Sequence, residues 1–365
     1  MKVRRRSALA LVTVLTLVLA ACGGDDDGAE PDTAEDVEAP GEEAEDTEAE
    51  EPEEADDDAP SEDASDDGPE AVTIALPARA APFLDVFVAD AEGFFEDNGV
   101  DAEIVFTPGP AATIAAMAGD SADVGLPFTE QALAAMEVGA PLKIFGGEFN
   151  RVLGTLVAGE DFGGIDELRG SRIASSAPDD VLTLLTAQRL EEEGIERGEY
   201  DFIIVPSSEQ RYQSLQTGAV GASVLVAPRD VQAIEDGFQL VFEIAEPGIF
   251  IAHIGSDRFI EERPEAAQRY LRAIQDAQEW MIQSENRDRA VEILVEITEV
   301  DPDVAELTYD AYIDADAWVT GAEIVEEELR TTLQFLVTTG KIFSDDPDAN
   351  DYATWSVLDA IEGSG

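Results

Sequence analysis

The sequence predicts an α/β protein whose body, residues 71–365, divides into two lobes built on largely parallel sheet. Three observations carry this. Strand-like and helix-like stretches alternate from residue 72 to about 248, which calls for crossover connections and a parallel sheet with helices on both faces. After "GIFIAHIG" (248–255) the strands cease and helical periodicity takes over. Finally, 295 residues exceed what one core comfortably serves, yet the body contains no second flexible linker. Plain strands must then cross between the lobes, and "GTLVAG" and "GIFIAHIG" are the candidates.

The elements follow in order. "AVTIALP" is an apolar strand ended by Pro77. "PFLDVFVADAEGFFEDNG" spaces Leu84, Phe87, Val88, Ala91, Phe94 and Phe95 as one helix face and stops at Asn98-Gly99. "VDAEIVF" is a strand, "AATIAAMAG" a helix, "ADVGL" a strand, "TEQALAAMEVG" a helix and "PLKIFGGEF" a strand. "GTLVAG" and "SRIAS" are short strands around "GIDELRG", before the helix "DDVLTLLTAQRLEEEG". "DFIIV", a helix from Ser208, "VGASVLV", a helix from Arg229 and "QLVFEI" continue the alternation. In the tail, 264–284 carries Ala267, Tyr270, Leu271, Ile274, Ala277 and Met281 on one stripe, and 287–298 carries Ala290, Val291, Leu294 and Ile297.

The start of the chain has the three parts of an export signal: four positive charges in "MKVRRR", an apolar run of thirteen, and small residues at Ala20 and Ala21. The run is shorter than the ~20 residues of a membrane span. Leu19-Ala20-Ala21-Cys22-Gly23 resembles the lipobox of bacterial lipoproteins, which implies lipidation of Cys22 and a new N-terminus there. Cys22 is the only cysteine, so neither a disulfide framework nor a cysteine-ligated metal is expected. Residues 23–70 hold 25 acids, no base and one large aliphatic residue, Val37. Such a segment buries too little apolar surface to offset its ordering entropy and reads as a disordered, charge-extended tether. Residues 71–365 still carry 57 acids against 17 bases, a net charge of −40. Nucleic acid is therefore not an expected partner, because the long-range field repels it.

Several strands run into Pro, Ser or Thr and then directly into a helix: "VFTPGPAA", "GLPFTEQA", "ASSAPDDV", "VPSSEQRY" and "LVAPRDVQ". Ser207 with Gln210 matches a capping box, Ser176 with Asp179 is a weaker version, and Pro178 and Pro228 suit first-turn positions. In an open parallel sheet these turns lie at the carboxyl edge, where unpaired helix N–H groups invite an anionic or polar ligand.

"ADAEGFFEDNGVDAEIVF", "AAMAGDSADVGL", "AAMEVGAPLKIFG" and "GIDELRGSRIASS" follow the order and spacing of substrate-binding proteins of ABC transporters. The branch resembled takes up sulfonates, taurine, nitrate, thiamine-pyrimidine precursors or riboflavin, and the resemblance spans roughly 72–300. It implies a type II periplasmic-binding-protein clamshell: a first lobe of 71–158 plus 249–365, with the C-terminal helices returning to it, and a second lobe of 159–248. It also implies a small-molecule ligand between the lobes, a membrane permease as partner, a monomer, and attachment to the extracytoplasmic face of the cell membrane through Cys22.

Family geometry places ligand contacts in the turns after the strands. Carried over by position, these are Arg79 and Phe83, Thr107 and Gly109, Phe128 and Thr129, and Phe149, Asn150 and Arg151. The second lobe contributes Ser175, Ser176, Asp179, Ser207 and Arg229. The rings would stack a flat heterocycle and the arginines would fork onto an anion; equally, the rings fit core packing and the arginines surface ion pairs. His253, the only histidine, shares a strand face with Ile249 and Ile251 and either lines the hinge beside the ligand or is a hydrogen-bonded structural residue.

An enzyme is not expected, nor is a cofactor or metal. The sequence contains no G-x-S-x-G, H-E-x-x-H or G-x-x-x-x-G-K-[ST] motif. The related pyrimidine-synthesising enzymes need a reactive histidine, a pyridoxal-binding lysine and a cysteine-rich segment; beyond the signal only Lys143 and Lys341 remain, and the cysteine segment is absent. Two alternatives stay open: a surface-anchored ligand sensor or adhesin on the same fold, and a pyrimidine-synthesis-like enzyme.

Overall fold

The computed structural model describes residues 68–363; the export signal, Cys22 and the acidic segment up to residue 67 lie outside the described residues. Its first part runs β1 (Glu70–Leu76), α1 (Leu84–Ala91), α2 (Phe94–Asp97), β2 (Val100–Phe106), α3 (Pro110–Ala118), β3 (Val124–Gly125), α4 (Thr129–Glu137) and β4 (Leu142–Ala158). Next come β5 (Arg172–Ser175), α5 (Val181–Glu192), β6 (Asp201–Ile204), α6 (Ser208–Gln216), β7 (Ala222–Leu225), α7 (Arg229–Glu235) and β8 (Gln239–Ser256). The tail is α8 (Asp257–Glu262), α9 (Pro264–Met281), α10 (Arg287–Thr298), α11 (Pro302–Asp314), α12 (Glu326–Thr338) and α13 (Ser356–Glu362).

The strands form one sheet in the order β2-β1-β3-β8-β4-β7-β5-β6. Two parallel triplets, β2-β1-β3 and β7-β5-β6, flank the antiparallel pair β8-β4. The predicted alternation is thus realised as two βα units joined by long central strands. β4 takes in "PLKIFGGEF" and "GTLVAG" together, and β8 takes in "QLVFEI" and "GIFIAHIG", so four expected strands are two. Their pairing runs from Leu142↔Ser256 to Ala158↔Gln239 and shifts register at Ile144/Gly146, Gly147/Phe149 and Phe149/Arg151. Register shifts bend a strand and increase its twist; here they fall where β4 leaves one triplet for the other.

The segment after α11 lies along this bend. Gly147 donates to the Ala322 carbonyl (2.8 Å), Val319 to that of Glu148 (3.0 Å) and Asn150 to that of Ala317 (2.9 Å). The close approach needs a glycine, because a Cβ on Gly147 would sit 1.9 Å from the Glu323 carbonyl oxygen.

The main core packs α1 and α9 against the first triplet. Ala267, Tyr270, Leu271, Ile274, Ala277 and Met281 of α9 are all fully buried, as their helical spacing predicts. Large apolar side chains of this kind each contribute ~1.5–3 kcal/mol. A second cluster, including Val157, Ala174, Tyr212, Leu215, Leu225 and Phe238, sits beneath α6 and α7. One helix differs from expectation: the stretch through "AEGFFEDNG" breaks at Gly93, whose φ of 83° interrupts the helix, and resumes as α2.

Candidate functional site

A cavity of about 500 Å³ lies between the carboxyl ends of β1 and β2 on one side and the N-terminal ends of α6 and α7 on the other. Pro77 ends β1, and the turn behind it exposes Arg79. The Arg79 guanidinium lies 4.1 Å from the centroid of the Phe106 ring and has no ion-pair partner among the described residues. Phe106 is 42% exposed and stacks on Phe87 with centroids 6.4 Å apart, so the pair presents a flat, cation-capped platform.

Across the cavity, Ser207 is the N-cap residue of α6, but its side chain makes no capping hydrogen bond. The expected capping box with Gln210 is not formed, and the first N–H groups of α6 are left without a side-chain cap. Arg229 pairs with Glu209 and donates to Gln232 Oε1 (2.5 Å) and to the carbonyl of Thr298 (2.9 Å). Pro228 is the N-cap of α7 rather than a first-turn residue. Beneath them Arg211 is almost fully buried and donates to the carbonyls of Val224 (2.6 Å), Val205 (3.0 Å) and Pro206 (2.9 Å). Burial lowers its pKa to about 10, so it stays charged at neutral pH while it ties the ends of β6 and β7 together. The Thr107 hydroxyl meets that of Thr113 at 2.7 Å. A Cβ on Gly109 would meet Pro206 Cβ at 3.4 Å, so the two sides nearly touch there.

A second polar cluster surrounds the start of α5. The cap is Asp180, which accepts from Thr183 N and Ala177 N at 2.8 Å each; Ser176 donates to it and does not cap the helix itself. Asp180 wins because it directly precedes Val181, so Pro178 lies outside the first turn. Ser175 is spent on Thr183, and Asp179 pairs with Lys341. From α4, the buried Glu130 accepts from Val181 N at 3.3 Å. Burial first, and the Asp180 charge second, push its carboxyl up to about 8. The neighbouring Thr129 hydroxyl is buried with no partner among the described residues.

The structure therefore brings Arg79, Ser207 and Arg229 to one cavity, leaves Thr107 and Gly109 outside its lining, and sets Ser175, Ser176, Asp179 and Thr129 around the start of α5. Phe83 is enclosed in the core, and Phe149 is fully buried among Phe250, Tyr312 and Trp318. Phe128 is half-buried and stacked on Phe250 at 5.0 Å. Asn150 and Arg151 line a different cavity, beside the bend of β4. Phe106, Glu209 and Glu130 were not singled out from sequence. Phe106 ends a strand pattern that reads as interior, and the two acids are lost among 82.

His253 is fully buried. Its Nε2 faces Asp85 Oδ2 (3.0 Å) and Glu148 Oε2 (3.2 Å), and its Nδ1 faces the Tyr270 hydroxyl (2.8 Å). Burial raises Glu148 well above its ordinary range, and the Asp85 charge adds to this. Burial also opposes ionisation of Asp85, but hydrogen bonds from Glu148, His253 and Gln278 and the His253 charge outweigh it, leaving Asp85 lowered. Burial therefore favours the neutral form of Glu148, while the network favours the charged form of Asp85. Although these three residues have the spacing of a metal-ligand set, Gln278 Nε2 donates to both carboxyls at 3.0 Å. The amide is oriented by Ala322 N on its oxygen (2.8 Å) and by the Gly147 carbonyl (3.1 Å), so a fixed donor occupies the centre. The cluster suits a proton-linked structural network.

A family model described as NMT1/THI5 like matches residues 81–287, from the turn after β1 to the start of α10. The chain belongs to the NMT1/THI5-like family. Among solved structures, this family member is similar to the alkanesulfonate-binding protein SsuA from Xanthomonas axonopodis pv. citri bound to MOPS. The two are 16% identical over 78% of this chain and 99% of that one, with a TM-score of 0.64. The periplasmic nitrate-binding protein NrtA from Synechocystis PCC 6803 is 15% identical over 82% and 90%, with a TM-score of 0.66. DszB in complex with biphenyl-2-sulfinic acid is 14% identical over 81% and 99%, with a TM-score of 0.59. A comparison with curated proteins gives no match. The NMT1/THI5-like chain thus has the periplasmic-binding-protein fold, as the sequence resemblance implied.

Proposed function

We propose that the protein is the solute-binding component of an ABC importer. It captures a small organic or anionic solute between a first lobe (71–158 plus 249–365) and a second lobe (159–248), and delivers it to a membrane permease. The observation that carries this reading is the cavity framed by strand ends on one side and helix N-termini on the other, with the Arg79 guanidinium free over Phe106. Glu209 neutralises Arg229, so the unspent positive groups are Arg79 and the uncapped N–H groups of α6. They suit one anionic or strongly accepting group, while Phe106 suits a flat or apolar face beside it. Binding proteins of similar fold named for alkanesulfonate and nitrate support this ligand class.

Capture needs no bond chemistry. Contacts from both lobes favour the closed state over the open one, and the population shifts accordingly. Lipidated Cys22 and the acidic tether would hold a monomer on the extracytoplasmic face of the cell membrane within reach of its permease. Among the described residues no helix is long and apolar enough to cross a membrane.

The test is thermal denaturation of the full chain against sulfonates, nitrate, pyrimidines, flavins and amino acids. A ligand at 100 times its dissociation constant adds ~2.7 kcal/mol. A solute that raises Tm should bind Arg79→Gln at least ~10-fold more weakly, the scale of losing one charge-assisted contact. No response from any compound, or one indifferent to Arg79→Gln, would refute the reading.

A further inference from the structure

A second cavity, of about 450 Å³, lies on the bend of β4 beneath the strap that joins α11 to α12. It is lined by residues of unlike chemistry that have not satisfied one another. Arg151 is half-buried and has no ion-pair partner among the described residues. Asn150 is 9% exposed and Trp318 6%. The Asn150 amide oxygen, the Trp318 indole N–H and one Glu328 carboxylate oxygen are all buried without a partner among the described residues. Three of the ten such atoms thus belong to one cavity, which is a concentration that calls for an explanation, since buried polar groups are normally paired. Glu323 and Asp316 add negative charge at the rim, while Ile282 (40% exposed) and Ile313 (38%) present bare apolar surface.

We propose that this cavity is a second ligand site, separate from the interlobe cleft, and that it takes a small zwitterion with an apolar body, of the amino-acid kind. The anionic end goes to Arg151 and the Trp318 indole N–H. The ammonium faces Glu328 and the Asn150 amide oxygen, with Glu323 and Asp316 behind it. The apolar body lies along Trp318, Ile282 and Ile313. A monovalent anion would satisfy Arg151 but leave Glu328 unpaired, and a simple amine would do the reverse. The zwitterion answers both, and this distinguishes the site from the cleft, whose second arginine is already neutralised by Glu209. Because the strap donates to and accepts from β4 at Gly147, Glu148 and Asn150, an occupant would brace the strand pair where it bends.

The test is calorimetric titration of the full chain with leucine, phenylalanine, proline and glycine betaine, set against 4-methylpentanoate and 3-methylbutylamine, which keep one charge of leucine each. At least one zwitterion should bind, and both single-charge analogues should bind at least ~10-fold more weakly. Arg151→Gln and Glu328→Gln should each weaken the zwitterion ~10-fold or more. Trp318→Phe, which keeps an aromatic face but removes the N–H, should weaken it less, while Arg79→Gln should leave it unchanged. Circular dichroism of each variant checks that the fold is retained. Binding by none of the four zwitterions, equal binding of either analogue, or loss of binding in Arg79→Gln with retention in Arg151→Gln would each overturn the proposal.

Discussion

Replacing Glu130 with glutamine tests whether a carboxyl wedged between α4 and the start of α5 weakens the fold at neutral pH. Glu130 is 3% exposed, faces the Asp180 carboxylate and accepts one 3.3 Å hydrogen bond from Val181 N. Its pKa rises from 4.5 to about 8. A raised carboxyl pKa means that the native state binds more protons than the unfolded state between those values. The contribution of Glu130 to stability is therefore most favourable below pH 4.5, falls as pH rises through the window, and levels off above pH 8. At 1.36 kcal/mol per pKa unit, the burial costs about 1 kcal/mol at pH 5, about 3 at pH 7 and at most about 5 above pH 8. Glutamine keeps the acceptor for Val181 and removes the charge beside Asp180. At roughly 2–4 °C per kcal/mol, Glu130→Gln should raise Tm by at most about 10–20 °C at pH 8.5 and by about 2–4 °C at pH 5. Scanning calorimetry of parent and variant from pH 5 to 9 reads this directly. Parallel Tm–pH curves, or a variant less stable than the parent at pH 8.5, would refute the assignment.

The network around His253 predicts an asymmetry: Glu148→Gln should stay within about 1 kcal/mol of the parent, because a donor replaces a donor. Asp85→Asn should lose about 2–4 kcal/mol in urea denaturation, because it removes the charge that the network is built to stabilise. Gly147→Ala places a methyl 1.9 Å from the Glu323 carbonyl and should cost about 3 kcal/mol or more by calorimetry, with faster amide exchange at Gly147 and Asn150 as the strap lifts. Cys22→Ala should leave the body folded but move it from the membrane to the soluble fraction; continued membrane retention would contradict the proposed lipid anchor.

Much of the architecture was legible because periodicity survives wherever an element keeps one environment. The stripe of α9 and the strand "VDAEIVF" are read correctly for that reason. In sequence β4 and β8 each look like two strands because they change surroundings midway. In β4 the run "GGEFNR" is small, acidic and basic where the strand bends, and its side chains face a hydrogen-bonded network and a strap from 170 residues downstream in sequence. No local pattern encodes those partners. The site was legible as a set of turns but not as a set of contacts. Arg79, Ser207 and Arg229 share a cavity because three strand ends converge, whereas Phe149, Asn150 and Arg151, expected in a turn, lie inside the continuous strand β4, and Phe149 packs into an aromatic core. Glu130 carries no local sequence signal because its significance lies in what it faces across the fold.

The outermost strands of the sheet are β2 and β6, and each rim carries exposed carboxylate: Asp101 and Glu103 on one, Asp201 on the other. Unpaired rims invite a neighbouring copy to add its own strand, and inserted carboxylates make that annexation repulsive. For molecules crowded onto a common surface, the same acidity that colours the whole chain would then keep neighbours from zipping into fibres, leaving each copy free to work alone.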